Sequence, residues 1–319
     1  MVTETDAHTP SKYDLLIARA RETRDVVTVV AHPCDETSLR GPIDAGREGL
    51  ITPLLVGPEP KIRAVAAQHD IDLNGIEIID VPHSHAAADM AVALIREGKG
   101  EVLMKGSLHT DEFMRAVTSS ATGLRTDRRI SHVFVMDVPG HADTLFITDA
   151  AINIFPDLET KRDIVQNAID LLHALGMTEP RVAILSAVET VTGKIPSTIE
   201  AAALCKMAER GQITGGLLEG PLAFDNAIDP EAARIKGIGG PVAGRAQVLV
   251  VPDLEAGNML AKNLSFLSHA DAAGVVLGAR VPIVLTSRAD SVRTRLASCA
   301  VAALDAESRR KGKPKVAAE

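Results

Sequence analysis

The sequence predicts an α/β protein organised around a parallel sheet, and three observations carry that prediction. Short apolar runs alternate with amphipathic stretches along the chain, the rhythm of repeated βαβ units. Hydrophobic residues make up 46% of the sequence but aromatics only 2%, with no Trp and one Tyr. The core must therefore be filled by Ala, Val, Ile and Leu, as in strands covered on both faces by helices. At 319 residues the chain exceeds one ordinary core and suits two domains of roughly 150 residues each.

Taken in order, residues 26–31, 51–56, 76–81 and 102–104 read as strands, and residues 58–70 and 85–97 have the length and Ala-rich faces of connecting helices. The charged string Asp127-Arg128-Arg129 interrupts the rhythm before a new apolar run at 133–138, which places a domain crossing near 126–130. Asp157 is a plausible N-cap for a helix that presents Ile164, Ala168, Leu171, Leu172 and Leu175 on one face and stops at Gly176. A strand at 182–185, a helix at 197–210, a turn at Gly215-Gly216, a strand at 248–251, a helix from about Ala256 and a strand at 275–277 follow. Residues 282–286 read as a strand able to rejoin the first sheet, covered by a helix over 291–305. No internal repeat interrupts this pattern.

A formal net charge of −8 and a pI near 5.7 argue against non-specific nucleic-acid binding, which needs excess Lys and Arg to neutralise phosphates. The scarcity of aromatics removes the usual stacking platforms for single strands. The basic run from Arg309 to Lys315 is expected to be a solvated end. Cys34, Cys205 and Cys299 are widely separated, which indicates neither a zinc site nor a disulfide framework and suits a reducing cytoplasm. The first 13 residues are polar and acidic, and no apolar run reaches membrane-spanning length, so no membrane association is expected.

The segment most suited to chemistry runs from Pro282 to Ser291, where an apolar strand empties into Thr286, Ser287, Arg288, Ala289, Asp290 and Ser291 just before a helix. Backbone N–H groups at a helix start beside a guanidinium favour a phosphate or a developing oxyanion. Equally, Ser287 or Ser291 could cap the helix while Arg288 and Asp290 pair at the surface. A second region carries Gly237, Gly239, Gly240 and Gly244 into an apolar strand that ends at Pro252-Asp253-Leu254-Glu255-Ala256-Gly257-Asn258. These glycines permit close backbone approach to a ligand, and Gly257 permits it at the carboxyl end of the strand, where ligands of open α/β sheets sit, although turn glycines are more often conformational. The cluster His32-Pro33-Cys34-Asp35-Glu36 ends the first strand in the same way and lacks convergent metal ligands.

Four segments in order, Gly106-Ser107-Leu108-His109-Thr110 with Arg115, Glu219-Gly220-Pro221-Leu222-Ala223-Phe224-Asp225-Asn226-Ala227, Val242-Ala243-Gly244 through Asn258, and Thr286 to Ser291, resemble the phosphate acetyltransferase/phosphate butyryltransferase family. The resemblance covers about residues 11–306 and is nearest to the butyryltransferase branch. It implies a two-domain α/β fold shared with isocitrate and isopropylmalate dehydrogenases, with an interdomain cleft. The first domain would comprise residues 1–127 plus 278–319, and the second, CoA-side and dimerisation domain residues 128–277. It also implies a homodimer and a phosphate acyltransferase that interconverts a short acyl-CoA plus inorganic phosphate with acyl phosphate plus CoA. Transfer would be direct, with no metal and no cofactor, CoA being a substrate.

By the same resemblance, Ser287 and Arg288 match the residues assigned to thioester and phosphate handling, and Arg115 matches a phosphate-binding arginine. In the acetyl-specific enzymes a carboxylate proposed as base lies seven positions after the serine, where this sequence has Thr294; Asp290 is the nearest candidate base, or else a cap or partner of Arg288. A carboxylate is a weak base for a thiol, so burial of Asp290 or a neighbouring arginine acting on the thiol would be required. His109 and Thr110 are placed on the phosphate side, His109 also reading as an ordinary structural hydrogen-bonder. Lys236, Gly257 and Asn258 are placed toward CoA, Lys236 also reading as a solvated lysine and Arg115 as a surface residue. Two other classes remain distinct: a non-catalytic acyl-CoA-binding regulatory domain, and a metal-dependent β-decarboxylating dehydrogenase, for which converging aspartates are wanting.

Overall fold

Alternate residues of the central strands are apolar on both sides, so the sheet is buried on both faces. The structure is a computed structural model that describes residues 11–285 and 290–312. Its first part runs α1 (Lys12–Ala20), β1 (Val27–Ala31), α2 (Glu36–Arg47), β2 (Thr52–Gly57), α3 (Glu59–Gln68), β3 (Glu77–Asp80), α4 (Ser84–Arg96), β4 (Val102–Lys105) and α5 (Thr110–Thr118). The chain continues through β5 (Ser131–Asp137), β6 (Leu145–Thr148), α6 (Leu158–Ala174), β7 (Arg181–Leu185), α7 (Pro196–Glu209), β8 (Leu217–Leu222), α8 (Phe224–Ile228) and α9 (Pro230–Ile235). It ends with β9 (Val248–Val250), α10 (Leu254–Leu267), β10 (Asp271–Leu277), β11 (Ile283–Val284) and α11 (Val292–Gly312).

The strands form one 11-stranded sheet in the order β3-β2-β1-β4-β11-β10-β5-β6-β9-β7-β8. Strands β3, β2, β1, β4 and β11 are parallel, and so are β6, β9, β7 and β8. Antiparallel pairings of β11 with β10, β10 with β5 and β5 with β6 reverse the direction between the two parallel groups. After β1 the chain moves outward to β2 and β3, then returns to place β4 on the other side of β1. This change of direction opens a crevice above the carboxyl ends of β1 and β4, the ligand position of open α/β sheets.

The strand period of two divides the core. Val30, Val182, Ile184, Val248 and Val250 point into one cluster with α1, α2, α3, α6, α7 and α11. Their neighbours Val29 and Ala31 pack with α4 and α5, whereas Ala183, Leu185 and Leu249 pack with α10. One face thus has a continuous core across the whole sheet and the other has two. Helix α11, buried nearly all round from Thr294 to Ala306, crosses the continuous face through small side chains that permit close approach. Tyr13 ties α1 to the junction strands: its buried hydroxyl accepts from the Ala273 amide at 2.6 Å and donates to the Val135 and Asp271 carbonyls.

Several elements were hidden by local composition. Helix α2 contains Gly41, Pro42 and Gly46, which weaken its periodic signal. Strand β8 contains Gly220 and Pro221 and is an edge strand paired only with β7, the place where Pro is tolerated. Strand β10 begins at Asp271 rather than near 275, because Ala272, Ala273 and Gly274 pair with β5 despite carrying little apolar signal. Among the described residues no helix is long and apolar enough to cross a membrane.

Candidate active site

The crevice above β1, β4 and β11 is a groove of about 460 Å³ lined by Asp35, Thr37, Ser38, Lys105 to Thr110 and Leu285. Asp35 caps α2, accepting from the Ser38 amide at 2.9 Å. The opposite wall is the start of α5, whose N-cap His109 makes no side-chain capping bond. Two helix starts therefore meet over the strand ends, an arrangement that favours an anion. Lys105, at the last position of β4, donates to the carbonyls of Gly106 and Leu108 at 3.1 and 3.2 Å, so its ammonium shapes the turn that carries His109.

The two turns are welded together at Gly106 and Ser107. The Gly106 and Ser107 amides donate to the Ala31 and His32 carbonyls at 2.8 and 2.9 Å. A Cβ at Gly106 would stand 2.4 and 2.5 Å from those same oxygens, so only glycine allows the approach. Ser107 Oγ donates to the His32 carbonyl at 2.8 Å, accepts from the Cys34 amide at 3.2 Å and lies 3.1 Å from His32 Nδ1. His32, at φ 55°, is lowered from its ordinary pKa first by burial and then by Lys61. Burial pushes the Cys34 thiol up to about 11, so it stays protonated at neutral pH and is a poor nucleophile.

Strand β11 delivers the chain into this groove at Leu285. Ser287 and Arg288, with Thr286 and Ala289, lie outside the described residues. The chain returns at Asp290, whose carbonyl accepts from Arg295 Nη1. Ser291 Oγ accepts from the Thr294 amide at 3.1 Å and donates to Thr294 Oγ1, the i to i+3 bond typical of a helix start. Thr294 is buried and its hydroxyl is engaged with Ser291.

The remaining candidates are distributed elsewhere. Arg115 follows Thr110 by five positions, about 140° around α5, and is exposed in a different groove between α4 and α5 lined also by Asp89 and Arg96. Lys236 is held by two carboxylates, Glu189 at 2.7 Å and Asp225 at 2.9 Å, and its hydrogen bond keeps the Glu189 carboxyl below its ordinary value. Glu189 also accepts from buried Asn226. The glycine-rich loop is latched by Glu219, which accepts from the Val242 and Ala243 amides at 3.2 and 3.0 Å. Gly257 serves packing, since a Cβ there would meet Val251 and Ala150 at 2.7 and 2.8 Å, and Asn258 donates to the Ala150 carbonyl. Lys236, Gly257 and Asn258 belong to the second parallel group, and none of them lines the groove that holds His109 and Thr110.

Lys105, Ser38 and Arg295 escaped the sequence reading. A charge at the final position of an apolar strand was the available signal for Lys105, whereas Ser38 and Arg295 became recognisable only once α2 and α11 were placed. Among the described residues no group of three His, Cys, Asp or Glu side chains is arranged to hold a metal ion.

Residues 83–303 match the family model described as phosphate acetyl/butaryl transferase. A protein from Rhizobium meliloti named phosphate acetyltransferase is 82% identical, the match covering 94% of this chain and 95% of that protein. Phosphate butyryltransferase from Clostridium acetobutylicum is 40% identical, over 91% and 96% of the two chains. Among solved structures, a branched-chain phosphotransacylase from Enterococcus faecalis V583 superposes with a TM-score of 0.77 at 29% identity, covering 88% of this chain and 99% of its own. A 4-hydroxythreonine-4-phosphate dehydrogenase from Klebsiella pneumoniae, with a TM-score of 0.54 at 14% identity over 89% and 100% of the two chains, shares the fold alone.

Proposed function

The chain belongs to the phosphate acetyl/butaryl transferase family and is an acyltransferase, and from that premise we propose that it exchanges a short acyl group between CoA and inorganic phosphate by direct transfer in a ternary complex. The single observation that carries this reading is that Leu285, directly after β11, lies on the lining of the groove bounded by two helix starts, one residue before the Thr286 to Ser291 motif begins in the sequence. The 82% identity with a phosphate acetyltransferase, against 40% with a butyryltransferase, favours acetyl over butyryl as the acyl group. The nearer motif resemblance to the butyryltransferase branch therefore does not decide chain length.

Toward acyl-CoA, a base takes the CoA thiol proton and the thiolate attacks the acyl phosphate carbonyl. The tetrahedral oxyanion is held by a donor such as Ser287 Oγ or a backbone N–H, and collapse expels phosphate. Asp290 is assigned as base, and Arg288 supplies the planar two-pronged contact suited to phosphate. His109 and Thr110 bound the phosphate side. CoA is a substrate, the reaction needs no cofactor, and the setting is cytoplasmic.

The two-domain division at 127/128 and 277/278, with a cleft between, is supported by the paired cores on one face of the sheet and by the return of β11 and α11 to the first parallel group. A homodimer through the second domain is supported by exposed Ile154, Phe155, Met259, Phe266 and Leu267, with Phe155 and Phe266 76% and 78% exposed. Burying such side chains is favourable by about 1.5–3 kcal/mol each.

The test is to mix protein, acetyl-CoA or butyryl-CoA and phosphate and follow CoA thiol release. Phosphate-dependent release is expected; binding without release would indicate a regulatory acyl-CoA module, and phosphate-independent release a hydrolase. Arg288→Ala should weaken phosphate use by about tenfold or more, and Asp290→Asn should lower turnover, unchanged turnover removing it as base. Arg115→Ala tests the α4–α5 groove: loss of phosphate use assigns phosphate there, and unaltered kinetics removes Arg115 from the site.

A further inference from the structure

Arg295 is a buried cation that meets no carboxylate among the described residues. It is 8% exposed, its Nη1 donates to the Asp290 carbonyl, and its buried Nε has no hydrogen-bond partner. Its neighbours on α11 are treated differently: Arg293 faces Asp14, Asp137 and Asp271, Arg309 pairs with Asp305, and Arg310 with Glu101 and Glu307. The titratable side chain one turn along, Cys299, offers no compensation, because burial pushes its thiol up to about 12. A charge removed from water without a partner is unfavourable, and a core position could be filled by an apolar residue of similar volume.

Its placement supplies the reason for a charge. A Cβ at Gly41 would stand 3.2 Å from Arg295 Cδ, 3.5 Å from its Nε and 3.9 Å from the Met104 methyl, so the arginine stem is threaded between α2 and β4. Ser38, one turn before Gly41, and Lys105, immediately after Met104, both line the groove. Asp290, whose carbonyl the guanidinium holds, stands two positions after Arg288 in the sequence. Arg295 therefore packs against α2 one turn after Ser38 and holds the Asp290 carbonyl.

We propose that Arg295 is a positioning residue for phosphate: its guanidinium fixes the Asp290 carbonyl, and its charge, which no carboxylate among the described residues meets, biases the groove toward a dianion, inorganic phosphate or the phosphate of an acyl phosphate. A charge in low dielectric acts on a neighbouring anion far more strongly than one in water. The inference rests on the phosphotransacylase reading for its place in turnover, whereas phosphate binding tests it separately.

The experiment uses the full chain with Arg295→Met and Arg295→Lys. Three quantities are measured: kcat with KM for phosphate and for acetyl-CoA, the binding of inorganic phosphate by calorimetry, and the thermal midpoint. In Arg295→Met the KM and Kd for phosphate should rise about tenfold or more while KM for acetyl-CoA changes less than about threefold. The midpoint should hold or rise, because removing an unpaired buried charge relieves its desolvation. Arg295→Lys, which keeps the charge, should recover phosphate KM to within about threefold and retain a lowered kcat, since a single ammonium replaces the planar fork. Unchanged phosphate binding in Arg295→Met overturns the inference. So does an equal loss for both substrates in Met and Lys together with a fallen midpoint, which would mark a packing residue. Wild-type protein that binds phosphate in an Arg295-dependent way but never releases CoA would sink the phosphotransacylase reading and leave the inference standing.

Discussion

Replacing Gly106 by Ala tests whether the groove depends on the contact between the β1 and β4 turns. The added Cβ would lie 2.4 Å from the Ala31 carbonyl oxygen and 2.5 Å from that of His32. An ordinary C···O contact is about 3.3 Å or longer, so the strand ends must part by roughly 0.8 Å. The same two oxygens accept the Gly106 and Ser107 amides at 2.8 and 2.9 Å, and that displacement stretches both bonds beyond useful length. Each lost bond costs about 1 kcal/mol net, and up to about 3 kcal/mol if its groups stay buried and unpaired. A destabilisation of about 2–6 kcal/mol follows, or a fall of about 3–9 °C in midpoint for a chain of this size. Thermal unfolding at a fixed scan rate reads the midpoint, and phosphate-dependent CoA release reads the groove, since Ser107, His109 and Thr110 move with Gly106. A variant with both wild-type midpoint and wild-type phosphate KM would refute the claim that this contact builds the site.

Tyr13→Phe leaves the buried Ala273 amide without its 2.6 Å acceptor and should cost about 1–3 kcal/mol, read as a lower midpoint in chemical denaturation; CoA release should be little changed. Burial holds His132 neutral, its pKa lowered to about 4, whereas in the unfolded chain it titrates near 6.5. The unfolded state therefore binds more protons between those values, so stability falls as pH drops from about 6.5 toward 4, by on the order of 3 kcal/mol. His132→Asn should flatten that part of the stability profile, and an unaltered slope would assign it to other groups. With the thiols of Cys34, Cys205 and Cys299 pushed up to about 11, 11 and 12, native protein should react slowly with alkylating reagents at pH 7, and Cys34→Ser should keep full turnover. Rapid labelling of Cys34, or loss of turnover in Cys34→Ser, would contradict its inert, protonated character.

Legibility in the sequence followed local signal strength. The runs at 26–31, 51–56 and 102–104 became β1, β2 and β4 because strands buried on both faces are written as unbroken apolar stretches. The Asp157 cap and the Ile164, Ala168, Leu171 and Leu175 face became α6, since a long amphipathic helix repeats its signal over many turns. Helix α2 and strand β8, by contrast, carry Gly and Pro where propensity alone would refuse an element, and tertiary packing overrides that refusal. For the site, the turn from Gly106 to Thr110 was visible as a motif, but its weld to His32 and Cys34 joins residues more than 70 positions apart. Lys236 shows the reverse: read in isolation it is a free cation, and only the fold reveals that Glu189 and Asp225 hold it.

By itself the sequence determined the α/β class, the alternation of strands and helices, and the family, because these are written in periodicity and in short ordered motifs that survive without knowledge of distance. Tertiary structure alone decided that two parallel groups join in one sheet through antiparallel strands, that Arg115 and Thr110 face different grooves, and that buried Arg295 meets no carboxylate among the described residues. Those outcomes depend on which strand returns beside which, and on desolvation by elements remote in the chain. Such quantities arise from through-space contact, which no single stretch of residues encodes.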